Sequence, residues 1–328
     1  MEYRPQLDAL RALAILGVLF SHFWNGTSGA GVMGVRLFFV LSGFLITKLL
    51  LDRPTLSAFY GRRALRLLPA YYLVLAFAIA LNLPAMRATW KWHVIGLTNV
   101  LFFLRQTFEA AWPADHLWTL DVEWQFYLVW PFVVLLSPRP LLPYIIVAVI
   151  AVGPVFRYFL PADIEETAWT LPFASLDALG IGALLALYTG PAKPIYAAGL
   201  VTAPLVIWGL FEGNSVTDFG SIFTFAALVL AGCGGTLKYL ERDPLIWLGK
   251  ISYGVYLYHI FVWAALWPII GSIKRGPSLF FGLSTLAIMV AWVSYTYFET
   301  PIRSWGKRYF RTASAADRAP SASKPTGH

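Results

Sequence analysis

Apolar runs of membrane-crossing length recur from residue 8 to residue 299, so this chain must fold where hydrocarbon surrounds much of it. A helical span needs roughly 20 predominantly apolar residues. Such runs lie near 8–25, 34–51, 67–83, 117–136, 142–160, 173–189, 195–211, 219–238, 251–271 and 279–299. In lipid a backbone must satisfy its own hydrogen bonds. The expected fold class is therefore an all-α polytopic membrane protein with about ten transmembrane helices. Only 13% of the residues are charged, against about 25% in an ordinary soluble domain.

The stretch "KWHVIGLTNVLFFL", 91–104, is short and flanked by Lys91 and Arg105. It reads as a re-entrant or interfacial helix. Leaving it out of the span count puts Arg4, Arg53, "RRALR", Arg139, Lys193, "KYLER", Lys250 and "KRYFR" on one side, the cytoplasmic one. Lys274 and Arg275 are the exception, and the acidic "DIEET" and "EGNSVTD" loops fall outside. Both termini are then expected in the cytoplasm, with the chain integral to the plasma (inner) membrane.

The opening "MEYRPQLD" is not the basic start of a cleaved signal peptide, so the first helix is expected to stay in the product. The expected organisation is one integral membrane unit over 1–311 and a disordered cytoplasmic tail over 312–328. No internal repeat of the kind that builds many transporters is visible.

The net charge of +8 follows from this topology. No basic stripe with interleaved aromatics points to nucleic acid. The single cysteine, Cys233, offers neither an intramolecular disulfide nor a zinc cluster, and the five histidines show no metal-ligand spacing. No metal is expected.

Ionisable groups inside the spans are costly and therefore candidates for function. In "LDALRALAILGVLFSHFW", Arg11 and His22 are separated by eleven steps of roughly 100°, which brings them to one face of a helix, about 16 Å apart along its axis. Arg11 has a local alternative in Asp8, three residues back, and His22 has one as an interfacial residue beside Trp24. In "FYGRRALRLLP", Arg62, Arg63 and Arg66 gather on one turn, either as an anchor at the cytoplasmic boundary or as a clamp for phosphates.

In "HLWTLDVEWQFYLVWP", Glu123 lies about two turns below the outer end, with Tyr127 on its face. At the depth of His22, it is the carboxylate that would orient a histidine base; a structural bond between helices is the alternative. Asp121 is a second candidate, and His116 reads as a loop or rim residue. "GVRLFFVLSGFLI" carries Ser42 and Gly43, small residues that let helices approach or leave a passage beside the first span. In "ISYGVYLYHIF", Tyr253 is a cavity candidate, while His259 and the Glu299 of "YFETPIR" read as structural.

These segments, in this order and over almost the whole chain, resemble the acyltransferase-3 family of membrane O-acyltransferases. The resemblance implies transfer of an acyl group, usually acetyl, from cytosolic acyl-coenzyme A to a hydroxyl of an extracytoplasmic or lipid-linked glycan. Some relatives modify secondary metabolites instead. Arg11 and His22 match the family's essential pair, Ser42 and Gly43 its Ser-Gly-Phe segment, Arg63 and Arg66 its Arg-x-x-Arg, and Glu123 its acidic position before Phe-Tyr. Trp118, Thr119 and Leu120 stand where the family often has Trp-Ser-Leu, and the hydroxyl is retained. Many relatives add an extracytoplasmic esterase-like domain, for which this chain leaves no length; it is expected to act without one or with a separate partner.

Together these readings place the polyanionic nucleotide of acyl-coenzyme A near Arg62, Arg63 and Arg66. Its arm passes Arg11, Ser42, Gly43 and Tyr253, and the thioester reaches His22, oriented by Glu123. Direct transfer and an acyl-histidine intermediate both fit. The expected partners are the bilayer, acyl-coenzyme A and a carbohydrate or glycolipid acceptor. The competing expectation is a transporter or flippase for an anionic lipid-linked sugar.

Overall fold

The computed structural model describes residues 3–80, 84–108, 112–161, 164–212, 215–271 and 273–316. Among them there are helices and no strands. The first three are α1 (Pro5–Phe23), α2 (Ala30–Leu51) and α3 (Leu56–Ala80). The short α4 (Pro84–Ile95) and α5 (Thr98–Arg105) precede α6 (Trp118–Leu136), α7 (Leu142–Tyr158) and the single turn α8 (Glu165–Ala168). Then come α9 (Leu176–Leu187), α10 (Lys193–Gly209), α11 (Ser215–Cys233), α12 (Asp243–Ile270), α13 (Pro277–Ser294) and α14 (Thr300–Ala316).

Each of the ten expected apolar segments coincides with a helix. Six helices are long and apolar enough to cross a membrane by length and composition: α1, α2, α3, α6 with the turn before it, α12, and α13 continuing to Gly306. The segments Leu142–Tyr158, Pro172–Leu187 and Thr217–Cys233 are apolar but shorter. The chain is a multi-pass helical membrane protein.

Residues 91–104 do not form one helix. Gly96 takes φ +69°, a left-handed conformation that glycine adopts without steric cost, and breaks the segment between α4 and α5. At 12 and 8 residues, these helices reach only about 18 and 12 Å, well short of the roughly 30 Å of hydrocarbon. Neighbours hold the break in place. The Tyr71 hydroxyl donates to the His93 carbonyl at 2.8 Å, and Asp121 Oδ2 on α6 accepts the backbone N–H groups of Thr98 (2.7 Å) and Asn99 (3.3 Å). Asp121 thereby satisfies the orphan amides at the start of α5, as a capping side chain does.

The core falls into two apolar clusters. One joins α2, α6, α9 and α11; the other joins much of α1 to α3, α12 and α13. Val35, Phe38 and Tyr253 pack against both. In the first cluster α2 and α9 approach until backbones touch: a Cβ on Gly43 would stand 1.9 Å from the Leu179 carbonyl oxygen, and one on Gly182 would stand 2.0 Å from that of Val40. Only glycine fits these two crossings.

A five-residue π turn, Tyr295–Glu299, leads into α14, which packs along α3 with Gly306 against Leu65. Buried Glu299 accepts from Ser294 (3.4 Å) and lies 3.8 Å from Arg303, so it has the structural role its sequence position suggests. The helix runs on to Ala316, five residues into the expected disordered tail; residues 317–328 lie outside the described residues.

Candidate active site

Where the two clusters meet, α1, α2, α3, α6 and α12 line a cavity of about 90 Å³. Its polar lining is Arg11, Ser42, Arg63, Arg66, Thr119, Glu123, Tyr127, Ser252, Tyr253 and Tyr256. Three guanidinium groups against one carboxylate make it a basic cavity. Ser42 Oγ donates to Glu123 Oε1, and the Tyr127 hydroxyl reaches Ser42 Oγ at 3.3 Å. Arg11 Nη1 also donates to Asp8 Oδ1 at 2.7 Å, so local pairing and cavity lining coexist. Tyr253 donates its hydroxyl to the Leu67 carbonyl at 2.7 Å, pinning α12 to α3 beside the arginines.

Two expected members are not there. Arg62 lies outside the lining, because the cavity meets α3 along Arg63, Arg66 and Leu67, and Arg62 is turned roughly 100° from Arg63 onto the other flank. Gly43 also lies outside it, since its bare Cα is pressed against α9. Its neighbour Ser42 faces the cavity and Gly43 does the packing.

A second cavity, of about 610 Å³, is lined by His22, His116, Asp115, Glu165, Asp218, Trp118 and Trp169 among others. His22 sits in a group of three imidazoles: its ring lies 5.0 Å from that of His259, which lies 4.9 Å from that of His116. The His259 Nδ1–H donates to the Tyr256 carbonyl at 2.6 Å, and the His116 Nε2–H to the Leu257 carbonyl at 3.3 Å. A carbonyl only accepts, so these contacts assign the ring protons. The other nitrogens, His259 Nε2 and His116 Nδ1, are buried without a hydrogen-bond partner. His259 thus holds the fold and also flanks His22. His116 lies in the short turn Asp115–Leu117 that leads into α6, in keeping with a loop position, but it is buried within the group and not at the rim.

The expected Glu123–His22 pair is not formed. The two line different cavities, and Glu123 bonds to Ser42. His22 is the penultimate residue of α1, whereas Glu123 is five residues into α6, roughly 7.5 Å along its axis. At the level of His22 the chain leading into α6 presents Asp115, His116 and Trp118 instead.

A buried ionic group beside the second cavity carried no expectation. Arg36 on α2 and Arg157 on α7 each donate to Asp177 Oδ2 on α9 at 2.7 Å, while Asp218 on α11 lies 4.0 Å from Arg36. Two cations and two anions on four helices balance one another, as charges removed from water require. The signal was there for three of them: Arg36, Arg157 and Asp177 each interrupt an apolar run, whereas Asp218 closes the acidic segment before one.

A family model described as an acyltransferase domain matches residues 4–296. O-acetyltransferase OatA of Staphylococcus aureus is 29% identical over an alignment covering 94% of this chain and 58% of that protein. Peptidoglycan O-acetyltransferase OatA of Listeria monocytogenes is 27% identical, with 93% of this chain and 56% of that protein covered. The chain thus spans little more than half the length of these relatives. No solved structure matches it.

Proposed function

The chain belongs to the acyltransferase-3 family, and from that premise we propose that it is a membrane O-acyltransferase. It moves an acetyl group from cytosolic acetyl-coenzyme A to a hydroxyl of an extracytoplasmic or lipid-linked glycan. The names of the two relatives, both O-acetyltransferases and one of peptidoglycan, support the group moved and a carbohydrate acceptor. The observation that carries the reading is the division of α1 between two adjoining cavities, Arg11 in the basic one and His22 in the other.

The basic cavity is the donor site. Coenzyme A is polyanionic, and Arg63 and Arg66 hold its phosphates with charge-assisted hydrogen bonds. The pantetheine arm runs past Ser42, Tyr253 and Arg11. The acceptor enters the second cavity, where tryptophan faces and carboxylates suit the apolar and hydroxyl faces of a sugar. His22 takes the proton of the acceptor hydroxyl as its oxygen forms the ester bond to the acyl carbon. The carbon–sulfur bond breaks, and the thiolate regains that proton to leave as free coenzyme A. In this reading Glu123 belongs to the donor cavity, where it holds Ser42.

The ten apolar helices are ten spans. Both termini face the cytoplasm, and the basic cavity opens there, in the plasma membrane. Membrane vesicles containing the chain, supplied with radiolabelled acetyl-coenzyme A, are expected to place label in ester linkage on envelope glycan, and His22→Ala is expected to slow this by about 10²- to 10⁴-fold. Equal transfer by His22→Ala overturns the mechanism; movement of glycan across the bilayer without acetyl-coenzyme A would favour a transporter.

A further inference from the structure

Four residues line both cavities: Val35 and Phe39, one turn apart on α2, Thr119 on α6 and Tyr256 on α12. We infer that this four-residue partition is an acyl-length gauge, admitting the short acyl end of a thioester from the basic cavity toward His22 and rejecting longer ones. The inference rests on the donor-site reading above.

The partition is rigid. Thr119 Oγ1 and the Tyr256 hydroxyl are 2.6 Å apart, and that hydroxyl also donates to the His116 carbonyl at 2.8 Å. Swinging the Tyr256 ring aside breaks both contacts. Phe38 sets its ring edge-on to that of Tyr256, with centroids 6.5 Å apart, and Phe39 is 2% exposed. Val35 is the partly exposed member and packs against both core clusters.

The two hydroxyls of the partition are committed to each other and to a carbonyl, so the faces left for a passing group are apolar side-chain faces. The nucleotide stays with the arginines and the sugar stays with the carboxylates; the acyl group alone has to enter this wall. The ester bond that forms and the carbon–sulfur bond that breaks are the same for every acyl length, so discrimination falls on fit. One methylene in a close-fitting apolar site changes selectivity by roughly 10- to 200-fold.

The test uses the full chain in membrane vesicles with labelled acetyl-, propionyl- and butyryl-coenzyme A, scoring ester label on envelope glycan. The wild type is expected to favour acetyl over propionyl by at least about tenfold. Val35→Ala is expected to raise the propionyl-to-acetyl ratio about tenfold, and Val35→Leu to lower it. Opposite shifts from two substitutions at one site are not the signature of misfolding. A ratio unmoved by both, with acetyl transfer intact, overturns the gauge and leaves the acyltransferase reading standing. Absence of transfer from all three donors overturns that reading and the gauge with it.

Discussion

Arg11 and His22 occupy one face of α1, yet each lines a different cavity, and the two cavities share a wall. One helix thus connects a basic chamber to a histidine-lined one. If the base is His22, its removal costs the proton transfer and leaves donor binding intact. His22→Ala is expected to lower kcat by about 10²- to 10⁴-fold while coenzyme A binding, measured calorimetrically on the purified chain, stays within a factor of two or so. Loss of binding in parallel with rate would assign His22 to the donor site instead.

The three clustered arginines are expected to separate. Arg63 and Arg66 line the basic cavity and Arg62 does not. A hydrogen bond to a charged group contributes about 1.5–3 kcal/mol, which is roughly 10- to 150-fold in affinity. Arg63→Gln and Arg66→Gln should each raise the KM for acetyl-coenzyme A by that range, and Arg62→Gln should change it little. Three equal effects would point to a diffuse electrostatic anchor.

That separation shows where sequence reasoning reaches its end. Hydropathy located every membrane-length helix, because apolar run length is a local property. The face shared by Arg11 and His22 was legible from helical period along one element. The expected placements that the structure does not reproduce concern relations between elements. Whether Arg62 or Arg63 faces inward depends on the rotation of α3 against its neighbours. Whether Glu123 reaches His22 depends on the axial offset of α6 against α1, and no single-segment period encodes that offset. Arg36, Asp177, Arg157 and Asp218 lie up to 182 positions apart in the chain, and only packing reveals that they form one group.

That group has a measurable consequence for stability. Asp177 accepts from both Arg36 and Arg157, and all three side chains are buried. Asp177→Ala removes the hydrogen-bonded counter-ion of both guanidinium groups and leaves only Asp218, 4.0 Å from Arg36, as the remaining anion; breaking a buried pair in this way costs about 3–5 kcal/mol. A large drop in Tm of the detergent-purified chain is expected. Asp218→Asn should cost less, since neither carboxylate oxygen of Asp218 has a hydrogen-bond partner. Similar Tm values for Asp177→Ala and the wild type would mean that the group contributes nothing to folding.

Ser42 and Gly43 are adjacent, but the structure divides them between cavity lining and packing. Ser42 faces the basic cavity and donates to Glu123; Gly43 faces α9, where an added Cβ would stand 1.9 Å from the backbone oxygen of Leu179. Backbone cannot yield as a flexible side chain does, so α2 and α9 must separate to accept the methyl group. Overpacking of this kind costs about 1–3 kcal/mol or more. Gly43→Ala should therefore lower Tm and the yield of folded protein, with activity falling in proportion to folded protein. Ser42→Ala removes the hydrogen bond to Glu123 but creates no backbone clash, so its transfer rate should fall by more than its loss of folded protein. Gly282 is the control: a Cβ there meets nothing within 4 Å, so Gly282→Ala should shift stability by no more than about 1 kcal/mol. A Gly43→Ala chain with wild-type Tm and impaired transfer would return Gly43 to the donor passage.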